Sequence, residues 1–169
     1  MMISRDKQLV KSELEIQKMA AAGSLNALVL KEVKALIKPG VRTQELDQAA
    51  EQIIRDHGGI PTFKGYPGPY PYPATLTICI NQEMVHGIPS GRTLQEGDIV
   101  SVDCGTTLDG YIGDSAFTVG VGEIGPDQKR LIEVTRESLY KGIEKMRPGN
   151  HVGDVGAAIQ AHVEAAGYH

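Results

Sequence analysis

Two aspartates near the middle of the chain, Asp103 and Asp114, are the residues best suited to chemistry. They belong to an acidic run that begins at Gly97 and also contains Asp98 and Asp109. Asp98 follows a glycine and Asp109 precedes one, so turn formation explains both. Asp103 and Asp114 flank that turn in strand-like sequence, where turn formation does not explain them. They are therefore our candidates for a functional pair.

The two aspartates would meet if this segment forms a hairpin. A four-residue loop at 107–110 would place Asp103 opposite Asp114, with Cβ atoms roughly 5 Å apart on one face of a sheet. Their charges would repel, and an arginine, a shared proton or bridging divalent metal ions would each relieve the repulsion. A different register, or an aspartate side chain turned towards water, would separate the two charges, and no positive group would then be required between them. Among functional interpretations, two-metal hydrolysis fits best, although it requires further glutamate or histidine ligands.

His86 is the histidine with the most informative surroundings. It ends a strand-like run and precedes Gly87, where another backbone or a ligand can approach closely. A lone histidine in a loop is more often a surface residue. The neighbouring sequence therefore leaves its role open.

The segment from Pro61 to Pro73 is too rich in proline for a central strand or a helix, and we predict an ordered loop there. It contains Phe63 and three tyrosines, half of the eight aromatic residues of the chain. These rings either pack on one another at the surface or form the wall of a binding pocket. The local pattern favours neither interpretation.

Helices and strands in a definite order must position these residues. Predicted helices run from a capping box at Ser12 to Pro39-Gly40, from Thr43 as N-cap to Gly58, from Pro126 to about Met146, and from Asp154 as N-cap to Gly167. Three short β-branched runs, at 76–80, 99–102 and 116–119, predict strands between the second and third helices. The fold class is therefore α+β.

An internal repeat relates the two helix pairs. An offset of 109 residues carries Pro39 onto Pro148, and it also carries Gly58 onto Gly167. Sheet sequence follows the first copy, whereas only Tyr168 and His169 follow the second. We expect a single domain over 1–169 with a pseudo-two-fold repeat. Its first half covers about 12–121, the helices of its second half lie at about 126–167, and the second half of the sheet is missing.

Composition excludes several classes of protein. The chain has 169 residues, a net charge of −4 and 41% apolar residues, which are values typical of one soluble globular domain. The negative charge gives no general attraction to nucleic acids or anionic membranes. The charged start lacks the apolar core of a signal peptide, and both cysteines lie in apolar runs where we expect reduced thiols. We expect a cytoplasmic protein.

Taken together, these motifs resemble the type I methionine aminopeptidases, a family with the creatinase-like, or pita-bread, fold. The most specific segments are Val85–Pro89, Gly97–Gly105 and Asp109–Ala116, in that order. The resemblance runs from Ser12 to Tyr168. It implies the pita-bread fold and removal of the initiator methionine from nascent polypeptides with a small second residue, by a metal-activated water.

The resemblance also implies roles for individual residues. Asp103 and Asp114 correspond to ligands of two divalent metal ions, which could be cobalt, manganese, iron or zinc. His86 corresponds to the catalytic histidine that contacts the substrate near the scissile amide. The substrate pocket would also include Phe63, Tyr66 and Thr77, the last standing where the family often has cysteine. The loop from Tyr66 to Pro73 holds a few extra residues.

The resemblance leaves the ligand set incomplete. One histidine and two glutamates of the family belong to the second half of the sheet, and His169 does not match that histidine. We therefore expect weak or no activity from this chain alone. Expected partners are nascent polypeptide N-termini at the ribosome and the missing C-terminal segment, with no nucleic acid and no membrane. The alternatives are a non-catalytic binding module of the same fold and an aminopeptidase of different specificity, such as one acting before proline.

Overall fold

The computed structural model describes residues 10–169 and shows the mixed helix and sheet composition that the sequence predicts. The described chain divides into two compact units, one ending at Gly122 and the other beginning at Glu123. The first unit contains helix α1 (Glu13–Leu36), helix α2 (Thr43–Asp56), and strands β1 (Ile60–Pro61), β2 (Leu76–Ile80), β3 (Ile99–Leu108) and β4 (Tyr111–Gly120). The second contains helix α3 (Pro126–Glu144) and helix α4 (Val152–Ala165). All the functional candidates lie in the first unit.

Side chains satisfy the backbone N–H groups at the starts of α1 and α2. The predicted capping box is present, because Ser12 donates its N–H to the Glu15 carboxylate at 2.7 Å and its hydroxyl group accepts the Glu15 N–H. The prediction of Thr43 as N-cap is wrong by one residue. Arg42 occupies that position and donates its N–H to Glu45 at 2.9 Å. The Thr43 hydroxyl group instead donates to the carbonyl oxygen of Ser90 at 3.0 Å.

The predicted N-cap of the last helix is also wrong. The helix starts at Val152 with His151 as N-cap, and the Asp154 carboxylate accepts the His151 N–H at 2.7 Å from inside the first turn. In the same unit, α3 packs against α4 at Gly142, where a Cβ atom would lie 2.8 Å from Cδ1 of Ile159. Glycine at that position therefore allows the two helices to approach closely.

The glycines that the repeat relates share an unusual backbone conformation. Gly40 and Gly149 have φ angles of +90° and +94°, and Gly58 and Gly167 have φ angles of +73° and +85°. This left-handed region is open to glycine at little cost and is common where helices end. The repeat is therefore visible in the backbone as well as in the sequence.

Strand β3 forms the centre of the sheet. It pairs antiparallel with β4 along its whole length on one side, and with β2 and β1 on the other side. Both β3 and β4 extend beyond the predicted runs to a turn at Asp109-Gly110. The prediction stopped short because polar residues replace apolar ones on one face of the hairpin.

The inner face of the sheet packs against α1 and α2. Alternate residues of β3, from Val100 through Val102 and Cys104 to Thr106, are fully buried there. A polar bridge crosses this interface: the Asn26 side chain donates to Ser115 and accepts from Thr106, both at 2.9 Å. Both cysteines are free and buried, as expected. Within residues 10–169, none of the helices combines the length and the apolar character that a membrane crossing needs.

Candidate active site

The hairpin register differs from the predicted one. Gly105 lies opposite Asp114, and Ala116 lies opposite Asp103, so the direct pairing of the two aspartates is wrong. The cause is the turn, which has two residues rather than four. Asp109 and Gly110 adopt φ angles of +49° and +80°, as tight two-residue hairpin turns require. Asp103 and Asp114 are consequently diagonal neighbours on the same outer face of the sheet.

The two carboxyl groups interact in this diagonal arrangement. Asp103 is half-buried and Asp114 is exposed, and they lie close enough to share a hydrogen bond. Burial raises the pKa of Asp103, and the Asp114 carboxylate raises it further by repulsion. Of the positive groups considered for this place, an arginine is not present: among residues 10–169 no ion pair includes either aspartate. A shared proton and a bound cation both remain compatible with the geometry.

His86 lies near enough to act on this pair. Burial and the Asp114 carboxylate raise the pKa of Asp103, whereas the hydrogen bond from the Cys104 backbone and a positive charge on the His86 ring lower it. The side chain is exposed, and the backbone has a φ angle of +60°. The close backbone approach predicted at Gly87 is confirmed, since the Ile78 N–H donates to the Gly87 carbonyl oxygen at 2.9 Å. A Cβ atom on Gly87 would overlap the Ile78 carbonyl oxygen.

Phe63 and Thr77 complete the outer face around the aspartates. Thr77 is buried and lies directly opposite Asp103 in the pairing of β2 with β3. The Phe63 ring covers Gly105, where a Cβ atom would lie 2.8 Å from Cε1 of the ring. Because Gly105 faces Asp114, the ring stands beside the carboxyl pair. The structure therefore brings five of the six predicted site residues together.

Tyr66 is the sixth. Its N–H donates to the Phe63 carbonyl oxygen at 2.9 Å, which places it in the turn that follows Phe63. Its side chain is 66% exposed. The structure thus leaves most of the Tyr66 ring in solvent, and its membership of the pocket stays a prediction.

Sequence reasoning missed two residues that hold this site in place. The Tyr72 hydroxyl group lies within hydrogen-bond distance of two carbonyl oxygens, that of Leu76 at 2.8 Å and that of Gly87 at 3.1 Å, and shares its one proton between them. Burial raises the pKa of Tyr72 to about 12. The Asp47 carboxylate accepts the N–H groups of Thr75 and Leu76 at 2.9 and 2.8 Å. Tyr72 was recognisable only as an aromatic residue between prolines, and nothing in the sequence of α2 distinguished Asp47.

The donor chemistry of the outer face suits part of a divalent metal site. Carboxylate oxygens and imidazole nitrogen are common ligands of manganese, iron, cobalt and zinc. Two adjacent carboxylates that form no ion pair within the described residues provide the negative charge that such a cation needs. Within the described part of the chain, however, no group of three or more histidine, cysteine, aspartate or glutamate side chains is arranged to hold a metal. The pair therefore supplies a portion of a ligand shell.

Comparison with known proteins identifies the family. Residues 17–169 match the model of metallopeptidase family M24. The chain belongs to metallopeptidase family M24. This M24 chain is 47% identical over 156 residues to methionine aminopeptidase 1 of Bacillus subtilis, a match covering 92% of the chain and 62% of that protein. The resemblance to methionine aminopeptidases and the use of a divalent metal by the family are thereby established.

Solved structures confirm the fold class. The crystal structure of methionine aminopeptidase from Thermotoga maritima matches with a TM-score of 0.89 and 40% identity, covering 94% of this chain and 63% of that one. The prolidase from Pyrococcus furiosus matches with a TM-score of 0.85 at 20% identity, over 97% of this chain and 46% of that one, which shows likeness of fold alone. The M24 chain has the α+β pita-bread fold. It spans less than two thirds of the length of the curated methionine aminopeptidases it matches, for example 62% of that from Bacillus subtilis.

Proposed function

We propose that this M24 chain carries part of the active site of an aminopeptidase that removes the initiator methionine from nascent polypeptides with a small second residue. The observation that carries the proposal is the carboxyl pair of Asp103 and Asp114 on the open outer face, with His86 and Phe63 beside it. The 47% identity to a methionine aminopeptidase supports the choice of substrate.

Asp103 and Asp114 would hold two divalent metal ions, of cobalt, manganese, iron or zinc. When bound, such ions lower the pKa of a water molecule and polarise the scissile carbonyl group. The protein positions the substrate around them. His86 contacts the peptide near the scissile amide, while Phe63, Tyr66 and Thr77 line the space for the methionine side chain. The ring of Phe63 also excludes water from the Asp114 side of the face.

The chain on its own is expected to bind metal weakly and to turn over little peptide. Its described residues supply only two carboxylates at the candidate centre, and a full shell needs several more donors. We further propose that the protein works in the cytoplasm on N-termini emerging from the ribosome, and that it needs a complementary C-terminal segment. A net charge of −4 supports neither a nucleic-acid partner nor an anionic membrane.

The test is a titration of manganese or cobalt into the chain, followed by an assay of methionine release from a Met-Ala-Ser peptide. Asp103→Asn should abolish the weak metal binding of the chain. Asp109→Asn is the matched control, because it makes the same chemical change in the turn of the same hairpin, where asparagine tolerates the positive φ angle. Circular dichroism would confirm that both variants keep their secondary structure.

Each outcome of this test has a distinct meaning. Metal binding that survives in Asp109→Asn and is lost in Asp103→Asn supports the proposed centre. Equal binding by all three proteins contradicts it, and complete absence of binding favours the non-catalytic module. Robust turnover by the chain alone would contradict the expectation of an incomplete site. Preference for a peptide with proline in second position would point to the aminopeptidase of different specificity.

A further inference from the structure

Three hydrogen bonds hold the peptide groups on the two sides of Gly87. The Gly87 carbonyl oxygen accepts from the Ile78 N–H at 2.9 Å and from the Tyr72 hydroxyl group at 3.1 Å. The Gly87 N–H donates to Sγ of Cys79 at 3.4 Å. Three groups from outside the loop thus form hydrogen bonds with the residue directly after His86.

The hydrogen bonds of Gly87 also restrict the backbone of the preceding residue, His86. His86 has a φ angle of +60°, in the left-handed region that residues with a side chain seldom occupy and that costs free energy relative to the ordinary regions. Gly87 itself cannot shift towards β2, because its Cα already faces the Ile78 carbonyl oxygen without room for a Cβ atom. The conformation of His86 therefore depends on how firmly the Gly87 peptide is held.

Of the three groups that bind Gly87, Tyr72 comes from another loop. Its hydroxyl group spans two carbonyl oxygens, that of Leu76 at the start of β2 and that of Gly87. It lies in the proline-rich segment that also carries Phe63 and Tyr66. One hydroxyl group thus joins the loop beside the carboxyl pair to the loop that bears His86.

We propose that Tyr72 is a positioning residue for His86: its hydroxyl group, together with the thiol of Cys79, fixes the Gly87 peptide and so keeps His86 left-handed beside Asp103. The importance of this role for catalysis rests on the proposed function, in which His86 contacts the substrate. The positioning itself is a property of the fold and can be measured without any enzymatic assay.

The first experiment compares Tyr72→Phe with Tyr70→Phe in the full chain by nuclear magnetic resonance. Tyr70 lies in the same loop and is 92% exposed, so it is the matched control for loss of a hydroxyl group. In Tyr72→Phe, the amides of Ile78 and Gly87 should exchange with solvent about 3- to 10-fold faster, as expected for loss of one hydrogen bond. The Cα chemical shift of His86 should move away from its left-handed value.

Amides of the helical core, such as those of Val29 and Val33, serve as the internal reference. Unchanged exchange at these amides, with faster exchange at Ile78 and Gly87, supports local positioning. Tyr72→Phe spectra that match those of Tyr70→Phe would overturn the proposal. An equal acceleration at the core amides would also overturn it, because the hydroxyl group would then contribute only to global stability.

A second pair of variants tests the thiol. Cys79→Ser keeps an acceptor for the Gly87 N–H, whereas Cys79→Ala removes it. Exchange at the Gly87 amide should stay within about 2-fold of the parent in Cys79→Ser and rise about 3- to 10-fold in Cys79→Ala. If the two variants behave alike, Cys79 has no part in holding Gly87.

The last measurement links positioning to turnover. With metal and the Met-Ala-Ser peptide, Tyr72→Phe should lower kcat by about 10-fold and leave KM within about 2-fold, because the binding pocket persists while His86 loses its orientation. A pure rise in KM would overturn the positioning role. A parent chain that releases no methionine agrees with its incomplete ligand set. The metal titration of Asp103→Asn and Asp109→Asn then tests the proposed function, and the exchange and chemical-shift data decide the role of Tyr72.

Discussion

Strand β3 presents two faces with opposite chemistry on one backbone. Its inner face, packed on α1 and α2, is fully buried from Val100 to Thr106, and its buried polar groups pair through Asn26. Its outer face, at Ser101, Asp103 and Gly105, carries polar and small residues, and the aspartate pair on it forms no ion pair within the described chain. The difference indicates that the inner face supplies stability and that the outer face is available for chemistry.

A change on the inner face should lower the free energy of unfolding by several times as much as a matched change on the outer face. Changes on the outer face should instead act on metal binding and on the peptide assay.

The largest effect is expected for Ile80→Ala. Ile80 is 1% exposed on the inner face of β2, and removal of a buried aliphatic side chain of this size costs about 2–5 kcal/mol. The matched outer-face change, Ser101→Ala, removes only a hydrogen bond of 2.7 Å to Thr118 and should cost about 0.5–1.5 kcal/mol. Urea unfolding followed by circular dichroism measures both, since the chain has no tryptophan. Equal costs would contradict the comparison.

Two glycines of the hairpin give a sharper test. Gly113 lies on the inner face, where a Cβ atom would approach the carbonyl oxygen of Ala22 to 2.5 Å, and the backbone of α1 cannot easily yield. Gly113→Ala should therefore cost about 1–3 kcal/mol. Gly105→Ala on the outer face meets the Phe63 ring, which can rotate aside, and Cβ of Thr62 at 3.0 Å, which a shift of a few tenths of an ångström relieves. Its cost should therefore be smaller, about 1 kcal/mol. Chemical shifts of the Phe63 ring should change in Gly105→Ala alone.

The helix pair was predictable because its signals are local. Ser12 and Glu15 form the expected capping box. Helix α1 ends at Leu36, before the Pro39-Gly40 dipeptide, and α2 ends at Asp56, just before Gly58-Gly59. The errors at Thr43 and Asp154 have a common origin. Each residue is a good capping type by sequence, but tertiary contact or a position inside the first turn gives its side chain another partner.

The hairpin register could also have been predicted from the sequence. An Asp-Gly pair between strands is a strong signal for a two-residue turn, and applying it at Asp109 would have given the observed pairing. The shared face of Asp103 and Asp114 survives the error, because two residues along a strand return to the same side. The roles of the aspartates and His86 came from family resemblance, and spacing alone left several alternatives open.

The supporting residues of the site were not predictable. The contacts of Tyr72 and Asp47 join segments 15 and 28 or more residues apart, and they depend on where loops settle against β2. No periodicity or short motif encodes such contacts. They become visible only once the sheet register and the path of the proline-rich loop are known.

Asp47 lies on α2, whereas the carboxyl pair lies on the outer face of the sheet. Asp47→Ala leaves the N–H groups of Thr75 and Leu76 without their acceptor and should cost about 1–3 kcal/mol. Asp47→Asn keeps an amide oxygen as acceptor and should cost much less at pH 7. Urea unfolding of both variants measures the difference, and equal losses would show that the acceptor is unimportant.

The pH dependence of Asp47 has a defined sign. Burial raises the pKa of Asp47 above its usual value of about 3.9, so its contribution to stability is fully present below that value and decreases as the pH rises through the folded pKa. Asp47→Asn does not titrate. The stability of this variant relative to the parent should therefore improve between pH 3 and pH 6, and a change in the opposite direction would contradict the burial argument.

The smallest effect on the free energy of unfolding is expected for the ion pairs that join the Phe63 loop to α2. Lys64, next to Phe63, pairs with Glu51 of α2 at 2.5 Å, and Arg55 pairs with the same carboxylate at 2.7 Å. Hydrogen bonds from Lys64 first and Arg55 second lower the pKa of Glu51. Because the pairs are at the surface, Glu51→Gln should cost only about 0.2–1 kcal/mol at pH 7, with exposed Glu32→Gln as control.

The sign of this effect is opposite to that at Asp47. A lowered folded pKa stabilises above the unfolded value of about 4.3, and the benefit is lost as the pH falls through the folded pKa. The difference between the parent and Glu51→Gln should thus be present at pH 7, shrink by pH 3, and also shrink in 0.5 M salt through screening. If the ion pairs help to place Phe63, the chemical shifts of the Phe63 ring should change in Glu51→Gln at pH 7. The parent at pH 3 should show the same changes. Unmoved shifts would mean that contact with Gly105 alone positions the ring beside the carboxyl pair.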